Sequence, residues 1–404
     1  MSVSHALESR SAVTSASGPR RFLPGTLAVA RLVKMFREVV DPRRARGVRH
    51  PLAAVLTVTV FAVLTGARTY RQIGDRVSDL PQPLLALAGA RSCPALGVWS
   101  APSGATIRRV LVQLDARGLD RLVGSWLRTV IAEDVVETDE GGREVAMDGK
   151  VVRDAWSLDG EVCLFSAMDQ EHSIVIAQVL VPVDTTEVTC VRDLLSGMDL
   201  TGWVITADAA HTCADTARFL VAEHADYVLA VKGNRGKLKR SIAALMPAML
   251  PGTADWVDEE TRGGDTIRRS IWIVDAEGID FPGAARVFRL LRERFDPFGV
   301  RVGKEVVHGV TSLSAQQATA QEIAGRVKRH WRIENRVHWP RDAVFGEDVQ
   351  GAWVGAGPRS MAIVRNLVLA LARLAGVCQI RRLTESIAAD RMRILPVLAA
   401  ALER

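Results

Sequence analysis

The chain has 404 residues, of which 48% are hydrophobic and 24% are charged, a composition that excludes disordered, collagen-like and disulfide-scaffold proteins. This length is typical of two or three domains rather than one. The formal net charge of +6 hides an uneven distribution: residues 1–50 carry 10 basic and 3 acidic side chains, residues 51–319 carry 28 and 35, and residues 320–404 carry 14 and 8. Two basic ends around an acidic middle favour a polyanionic partner.

Residues 1–26 are predicted to be a disordered tail, because Ser, Gly and Pro interrupt any apolar period and the stretch lacks the apolar core of a signal peptide. The five cysteines are far apart and form no Cys-x-x-Cys pair, which favours reduced thiols in a cytoplasmic protein. Residues 52–67 form a mostly apolar, uncharged run of 16 residues, which is shorter than the roughly 20 that span a membrane. A buried helix is expected there, and no membrane association.

Residues 27–132 are predicted to form a helical domain, since Leu32, Met35 and Phe36 recur at helical spacing and the same spacing returns later in the stretch. A basic segment at residues 41–51 contains a proline near each end. It suits a solvated loop and a DNA contact equally well. Its candidate DNA-binding residues are Arg43, Arg44, Arg46 and Arg49.

The acidic stretch 133–140, followed by two glycines, is typical of a linker, and short alternating elements begin after it. The predicted elements are strands at 144–152, 161–167 and 173–181, a helix at 187–195, a strand at 203–207, a helix at 213–224, a strand at 227–231 and a helix at 237–245. Three strands followed by β-α-β-α predict an α/β fold with a ribonuclease-H-like mixed sheet. A doubly wound nucleotide-binding sheet would alternate from the start, and the chain has no GxGxxG or P-loop, so no nucleotide cofactor is expected.

The rest of the chain is predicted to be rich in strands and then helical. Three segments have a strand-like pattern, at residues 266–274, 287–291 and 305–313. They indicate a β-rich insertion at about 250–313. Ser314 and Gln317 match a capping box, which predicts that the next helix begins there and runs to about Trp339. A final helix is predicted at residues 359–374.

Two aspartates occupy matching positions in the predicted sheet, Asp148 in its first strand and Asp208 at the end of its fourth. These strands are adjacent and parallel in a ribonuclease-H-like sheet, so the two carboxylates are expected to meet at one edge. Paired carboxylates repel each other unless a divalent cation lies between them, and oxygen ligands favour Mg²⁺ or Mn²⁺ over zinc. Taken singly, each aspartate is more typical of a turn or a helix cap.

A third acid, Glu334, lies in the segment His-Trp-Arg-Ile-Glu-Asn-Arg-Val-His-Trp at residues 330–339. With this segment the chain resembles the DDE transposases of bacterial insertion sequences, in their H-repeat-associated (ISAs-type) branch. The matching motifs follow the order of the family and lie at residues 41–51, 147–150, 207–212, 226–235, 310–313 and 330–348. The resemblance covers roughly residues 27–375.

The resemblance implies a DNA-binding helical domain at 27–132, a ribonuclease-H-like catalytic domain at 143–375 that contains the insertion, and a C-terminal helical tail at 376–404. It also implies that Asp148, Asp208 and Glu334 are the catalytic residues and hold two Mg²⁺ or Mn²⁺ ions. Such ions, about 4 Å apart, activate a water or a 3′-hydroxyl and stabilise the leaving oxygen during attack on a DNA phosphodiester.

The function that the resemblance implies is DNA transposition, in which the ends of an insertion sequence are cleaved at their terminal inverted repeats and joined to target DNA. We expect the protein to form a homodimer on DNA and to lie in the bacterial cytoplasm, associated with the nucleoid. Two alternatives stay open: a domesticated or inactive relative that only binds DNA, and a ribonuclease-H-like nuclease without strand transfer. The presence of all three acids speaks against the inactive relative.

Further DNA contacts are expected around the acids, where basic residues follow the fifth strand and favour phosphate contacts over an ordinary helix surface. Pro340 removes a helix hydrogen bond, so the helix is expected to kink or stop near Trp339, and the direction of Arg341 stays open. Trp331 and Trp339 are expected to pack in the core rather than to stack on an unpaired base. The candidate DNA-binding residues of this region are Lys150, Lys232, Arg235, Lys237, His330 and Arg341.

Overall fold

The computed structural model describes residues 24–46, 48–134, 142–157, 160–250, 252–349 and 354–403. Most of the tail predicted at residues 1–26 and of the linker predicted at 133–140 lies outside the described residues. Within the described ranges, no helix is long and apolar enough to cross a membrane. All five cysteines are unpaired.

A group of helices and a short hairpin precede the sheet. The helices are α1 (Thr26–Phe36), α2 (Leu52–Leu64), α3 (Tyr70–Ser78), α4 (Gln82–Leu87), α5 (Gly104–Gln113) and α6 (Ala116–Asp134), and the hairpin strands are β1 (Arg91–Cys93) and β2 (Val98–Ser100). Every residue of α2 is buried, because its sequence is apolar on all faces. This confirms the buried helix expected in the uncharged run at residues 52–67.

The centre of the molecule is a mixed sheet with crossing helices. Its elements are β3 (Glu144–Ser157), β4 (Gly160–Asp169), β5 (Ile174–Val181), α7 (Val191–Leu194), β6 (Val204–Ala207), α8 (Ala214–Ala222), β7 (Asp226–Val231) and α9 (Gly236–Leu245). The strands lie in the order β5-β4-β3-β6-β7, and β3 is antiparallel to β4 but parallel to β6. A meander of three strands followed by two parallel strands is the ribonuclease-H-like arrangement, which confirms the predicted fold class.

Four antiparallel strands extend the sheet beyond β7, namely β8 (Trp256–Arg262), β9 (Asp265–Asp275), β10 (Arg286–Phe295) and β11 (Arg301–Thr311). Because β11 pairs with β7, the strands of the predicted insertion continue the central sheet. The sequence does not predict β8, since Asp258, Glu259 and Glu260 have low strand propensity. In the structure Arg269 of β9 lies 3.3 Å from Asp258 and 2.8 Å from Glu260, which pairs the acidic strand with a basic neighbour.

The helix α10 (Ala320–His330) begins later than its sequence predicts. Its capping box consists of Thr319, whose Oγ1 accepts from the Glu322 N–H (3.2 Å), and Glu322, whose Oε2 accepts from the Thr319 N–H (2.7 Å). The prediction that the helix begins at Ser314 is therefore wrong. The Ser314 N–H does donate to Gln317 Oε1 (2.9 Å), but this bond stabilises a turn that precedes the helix.

The remaining helices are α11 (Trp339–Ala343), α12 (Gly357–Leu374), α13 (Ile380–Ala389) and α14 (Ile394–Leu402). The largely buried α12 contacts α2 and α6 as well as β5, so it joins the first helices to the sheet. α14 lies against α1, where Glu403 Oε1 accepts from the Ala28 N–H (2.8 Å) and Leu402 O accepts from Arg31 (2.6 Å). The segment predicted as a C-terminal tail is thus helical but packs onto the N-terminal helices.

Candidate active site

Asp148 and Asp208 lie at the same edge of the sheet. β3 and β6 run parallel, and the last residues that pair between them are Met147 and Ala207, immediately before the two aspartates. Asp208 Oδ1 accepts a hydrogen bond from the Ala210 N–H (2.9 Å), which orients this carboxylate in the turn after β6. The structure thus places both acids on neighbouring parallel strands, as the sequence predicts.

Glu334 reaches this edge from a wide helical turn. Residues Glu334–His338 form a π-helical turn, after which the Trp339 N–H donates to Glu334 O. Pro340 follows directly, and a proline neither donates a backbone hydrogen bond nor fits easily against the preceding turn of an α-helix. The irregularity predicted near Trp339 therefore takes the form of a π turn, after which the chain continues into α11. Such turns are frequent at functional sites.

His338 joins Glu334 to Asp148. The His338 ring is buried, and its Nδ1 lies 3.0 Å from Glu334 Oε2 and 3.5 Å from Asp148 Oδ2. One ligand atom from each of these three residues lies within 4.8 Å of the other two, a spacing that suits one metal ion. Among the described residues, Asp208 is not part of this group. Its Oδ1 lies 3.9 Å from Nε2 of His211, which belongs to the same turn after β6.

The charges at this site are unbalanced. Burial raises the pKa of Asp148 to about 6, His338 opposes the rise, and the charges of Asp208 and Glu187 add to it. A hydrogen bond with His338 lowers the pKa of Glu334. A divalent cation would relieve the repulsion between these carboxylates, and carboxylate oxygens are the ligands that Mg²⁺ and Mn²⁺ prefer. The donor set therefore fits a hard divalent cation.

Comparison with known proteins gives the family. Two family models match, "DDE_Tnp_1-associated" at residues 33–127 and "Transposase DDE domain" at residues 162–350. "Putative transposase YncI" of Escherichia coli K12 is 30% identical over 210 residues, which are 51% of this chain and 79% of that protein. "H repeat-associated putative transposase YhhI" of the same strain is 26% identical over 333 residues, 80% of this chain and 85% of that protein. The chain belongs to the H-repeat DDE transposases.

Membership of this family associates the transposase with DNA transposition, DNA binding and divalent metal ions. A solved piggyBac transposase synaptic complex with hairpin DNA matches with a TM-score of 0.40 and 10% identity, over 93% of this chain and 82% of that one. The strand order of the central sheet defines the fold independently of this distant likeness.

Most of the basic side chains predicted to contact DNA are exposed in the transposase, namely Arg44, Arg46, Arg49, Lys232, Arg235 and Lys237. Arg43 differs from its neighbours. Its guanidinium lies 2.7 Å from the Asp41 carboxylate and donates to His50 O (2.9 Å), so it shapes its own loop. The loop therefore presents the exposed side chains of Arg44, Arg46 and Arg49, while Arg43 holds its conformation.

Arg341 and Lys150 are not available to DNA in the folded transposase. Arg341 is completely buried and its Nε donates to Glu347 Oε2 (2.8 Å), so the prediction that it contacts DNA is wrong. Lys150 is only 8% exposed, and its Nζ lies 2.7 Å from Asp342 Oδ2 and 3.5 Å from Asp348 Oδ1. The predicted DNA contact of Lys150 is replaced by an internal ion pair beside the site.

His330 is also turned inward. Its Nδ1 lies 3.2 Å from Thr206 Oγ1 at the end of β6. Burial lowers the pKa of His330 to about 4, while the charge of Asp208 opposes the shift and that of Lys232 adds to it. His330 is therefore neutral at physiological pH and offers no charge to a phosphate. Lys232 directly follows β7, the parallel neighbour of β6, at the edge of the sheet where Asp208 follows β6.

Trp331 and Trp339 lie on the surface on either side of Glu334 in the chain. They are 58% and 57% exposed, so the prediction that they pack in the core is wrong. Tryptophan is usually buried, and a sequence pattern alone does not reveal such an exception. Two aromatic side chains that flank Glu334 in the chain are thus open to solvent.

Three further residues, His338, His211 and Glu187, lie close to the acids, and the sequence leaves open whether His211 assists the metal site or only begins a helix. His338 has a sequence signal, its i+4 spacing from Glu334 on a helix, and His211 follows Asp208 by three positions. No spacing points to Glu187. It reaches the site from the turn after β5, where its Oε2 lies 3.1 Å from His211 Nε2.

We expect Asp148→Asn to stabilise the metal-free transposase at neutral pH. Because the pKa of Asp148 is raised in the fold, its charge destabilises the folded state increasingly as the pH rises from about 4 to about 6, and fully above that. Removing the charge is expected to raise the melting temperature at pH 7.5 by roughly 2–4 °C, and at pH 4 by much less. Differential scanning calorimetry at both pH values checks this; an equal shift at both would contradict it.

Proposed function

We propose that this protein is an active transposase that cleaves DNA at the terminal inverted repeats of an insertion sequence and joins the ends to target DNA. The observation that carries the proposal is the convergence of Asp148 and Glu334 from a strand and a helix on one point within 4.8 Å, with Asp208 on the adjacent parallel strand. Three acids from three separate elements at one sheet edge suit the binding of catalytic metal ions better than turn or helix capping.

In this proposal Asp148, Asp208 and Glu334 hold two Mg²⁺ or Mn²⁺ ions. Ions held by these three residues would supply activation of a water or a 3′-hydroxyl and stabilisation of the leaving oxygen during cleavage of a phosphodiester. Asp148, with a pKa of about 6, is ionised at neutral pH and offers its charge to a cation. His338 contacts both Glu334 and Asp148 and so orients two of the three carboxylates.

The DNA in this proposal passes over the exposed basic and aromatic side chains near the acids. Lys232 follows β7 at the edge of the sheet where Asp208 follows β6, and Lys237 is exposed in the first turn of α9. Trp331 and Trp339 offer faces on which an unpaired base at the cleaved end can stack. The basic loop of residues 41–51, in the helical region, provides a second phosphate-binding surface. Because two ends must be joined together, we place a homodimer on the DNA in the nucleoid.

We expect simultaneous replacement of Arg44, Arg46 and Arg49 by alanine to weaken DNA binding and to make the binding constant less dependent on salt concentration. If all three contact phosphates, the slope of log K against log salt falls in magnitude by about 2.7. Fluorescence anisotropy of a labelled terminal-repeat duplex between roughly 50 and 200 mM salt measures this slope.

The control for this experiment removes the same charge from other exposed sites, Arg262, Arg292 and Arg382. This triple variant is expected to leave the slope nearly unchanged. Equal slopes for the two triple variants would contradict a specific role of the basic loop.

A further inference from the structure

The carboxylate of Glu187 and the imidazole of His211 lie beside the two aspartates. Glu187 begins a 3₁₀ turn after β5, and its carboxylate packs against the backbone of Gly149, the residue after Asp148. A Cβ at position 149 would overlap this carboxylate, so the approach is possible only because the residue is glycine. The Cys163 thiol on the neighbouring strand also donates to Glu187 Oε1 (3.5 Å). Glu187 is thus fixed against the strand that carries Asp148.

His211 lies between Glu187 and Asp208, the second aspartate of the site. The ring is completely buried, and its Nε2 lies 3.1 Å from Glu187 Oε2 and 3.9 Å from Asp208 Oδ1. It stacks on Phe165 with 4.6 Å between ring centroids and 9° between planes. Phe165 in turn pairs with Gly149 in the β3–β4 ladder. The imidazole is therefore held in one orientation by the same strands that hold Glu187.

The Glu187 carboxylate lies against Gly149, the residue after Asp148, and His211 Nε2 lies 3.9 Å from Asp208 Oδ1. The hydrogen bond with His211 lowers the pKa of Glu187, which keeps this carboxylate ionised and able to accept from the imidazole. The contacts run from the backbone beside Asp148, through Glu187 and His211, to the carboxylate of Asp208. β3 and β6 pair only up to Met147 and Ala207, so the ladder itself does not extend to the aspartates.

We propose that Glu187 and His211 are a positioning pair that sets the spacing of Asp148 and Asp208 and so tunes the affinity of the site for divalent cations. This inference rests on the proposed function, in which the two aspartates are metal ligands. Residues that orient metal ligands in this way typically change metal affinity by about 10–100-fold when they are replaced.

The test compares Glu187→Ala and Glu187→Gln with Glu223→Gln, which alters an exposed carboxylate at the end of α8. Calorimetric titration of each full-length protein with Mn²⁺ gives the dissociation constant, and cleavage of a terminal-repeat duplex at increasing Mn²⁺ gives the half-saturating concentration. Glu187→Ala is expected to raise both values by roughly 10-fold or more and to recover most of its rate at saturating Mn²⁺. Glu187→Gln, which keeps the packing on Gly149, is expected to lie between Glu187→Ala and the wild type.

Two outcomes would overturn the proposal. A lower melting temperature with unchanged Mn²⁺ affinity would make Glu187 a purely structural residue. A complete loss of cleavage that Mn²⁺ does not restore would make it a direct participant. If the wild type itself does not cleave DNA, the proposed function fails, whereas the calorimetric titration still tests the pair.

A double-mutant cycle tests the contact between Glu187 and Gly149 without relying on the folding of a single variant. Gly149→Ala is expected to weaken Mn²⁺ binding because its methyl group displaces the Glu187 carboxylate. In a Glu187→Ala background the same substitution is expected to have little further effect, since the overlapping atoms are gone. Strictly additive effects of the two substitutions on the Mn²⁺ dissociation constant would contradict the proposed contact.

Discussion

Replacement of Asp148, Asp208 or Glu334 by its amide is expected to lower metal-dependent DNA cleavage by about 10³-fold or more. Asn and Gln keep the shape of the side chain but remove the negative charge that holds a cation. The effect of Asp208→Asn is the most informative, because Asp208 lies outside the group formed by Asp148, Glu334 and His338. The measurement is the rate of Mn²⁺-dependent nicking of a duplex that carries the element's terminal repeat.

The control for these variants is Asp280→Asn, an exposed aspartate between β9 and β10. It is expected to cleave DNA at the wild-type rate. Wild-type rates in any of the three acid variants would contradict the assignment of that residue. Melting temperatures distinguish loss of catalysis from loss of folding, since Asp148→Asn is expected to be more stable than the wild type in the absence of metal.

The second large effect is expected at a buried ionic cluster of Arg341, Glu347 and Arg365, all of them without solvent exposure. Glu347 accepts from Arg341 Nε (2.8 Å) and Arg365 Nη1 (3.2 Å), and Arg365 Nη2 also donates to Arg68 O (3.0 Å). Burial opposes the ionisation of Glu347, but the two guanidinium groups lower its pKa. The cluster therefore ties the segment after the π turn to α12 and to the loop before α3.

We expect Glu347→Ala to reduce the free energy of unfolding by about 3–5 kcal/mol, because it leaves two buried guanidinium groups without a counter-charge. The stabilising charge of Glu347 is present at neutral pH and is lost as the pH falls through its lowered pKa. Urea denaturation followed by circular dichroism measures the change. The control Glu305→Ala breaks an exposed pair with Arg292 and is expected to cost less than about 1 kcal/mol. Equal losses in both variants would contradict the account.

The sequence predicts the ribonuclease-H-like sheet because its strands are short apolar segments in a distinctive order. It misses β8, whose acidic side chains are stabilised by Arg269 from the neighbouring strand and not by an apolar face. It also places a helix start at Ser314, because the same local hydrogen bond occurs in a turn and in a capping box. The chemistry of Thr319 and Glu322 decides between the two positions.

The meeting of Asp148 and Asp208 is predictable because strand order fixes where they lie, whereas the choice of Glu334 depends on the resemblance to the family. The burial of Arg341 cannot be predicted from the sequence, because it depends on ion pairs with Glu347, which itself pairs with Arg365 further along the chain. The position of Glu187 beside the site cannot be predicted from the sequence either, because it also depends on contacts between distant parts of the chain. Its closeness to Asp148 arises from the path of the chain after β5 and from the missing side chain of Gly149. Contacts between distant parts of the chain therefore decide which basic residues are exposed and which form internal ion pairs.

The most direct test of transposase activity is to incubate the wild-type protein with a duplex that carries the terminal inverted repeat, in the presence of Mg²⁺ or Mn²⁺ and of unlabelled target DNA. We expect cleavage at the end of the repeat and joining of the new 3′ end to the target, both abolished by EDTA and by Glu334→Gln. Cleavage without preference for the repeat and without joining would indicate a general nuclease. Binding to the repeat without any metal-dependent cleavage would contradict the account.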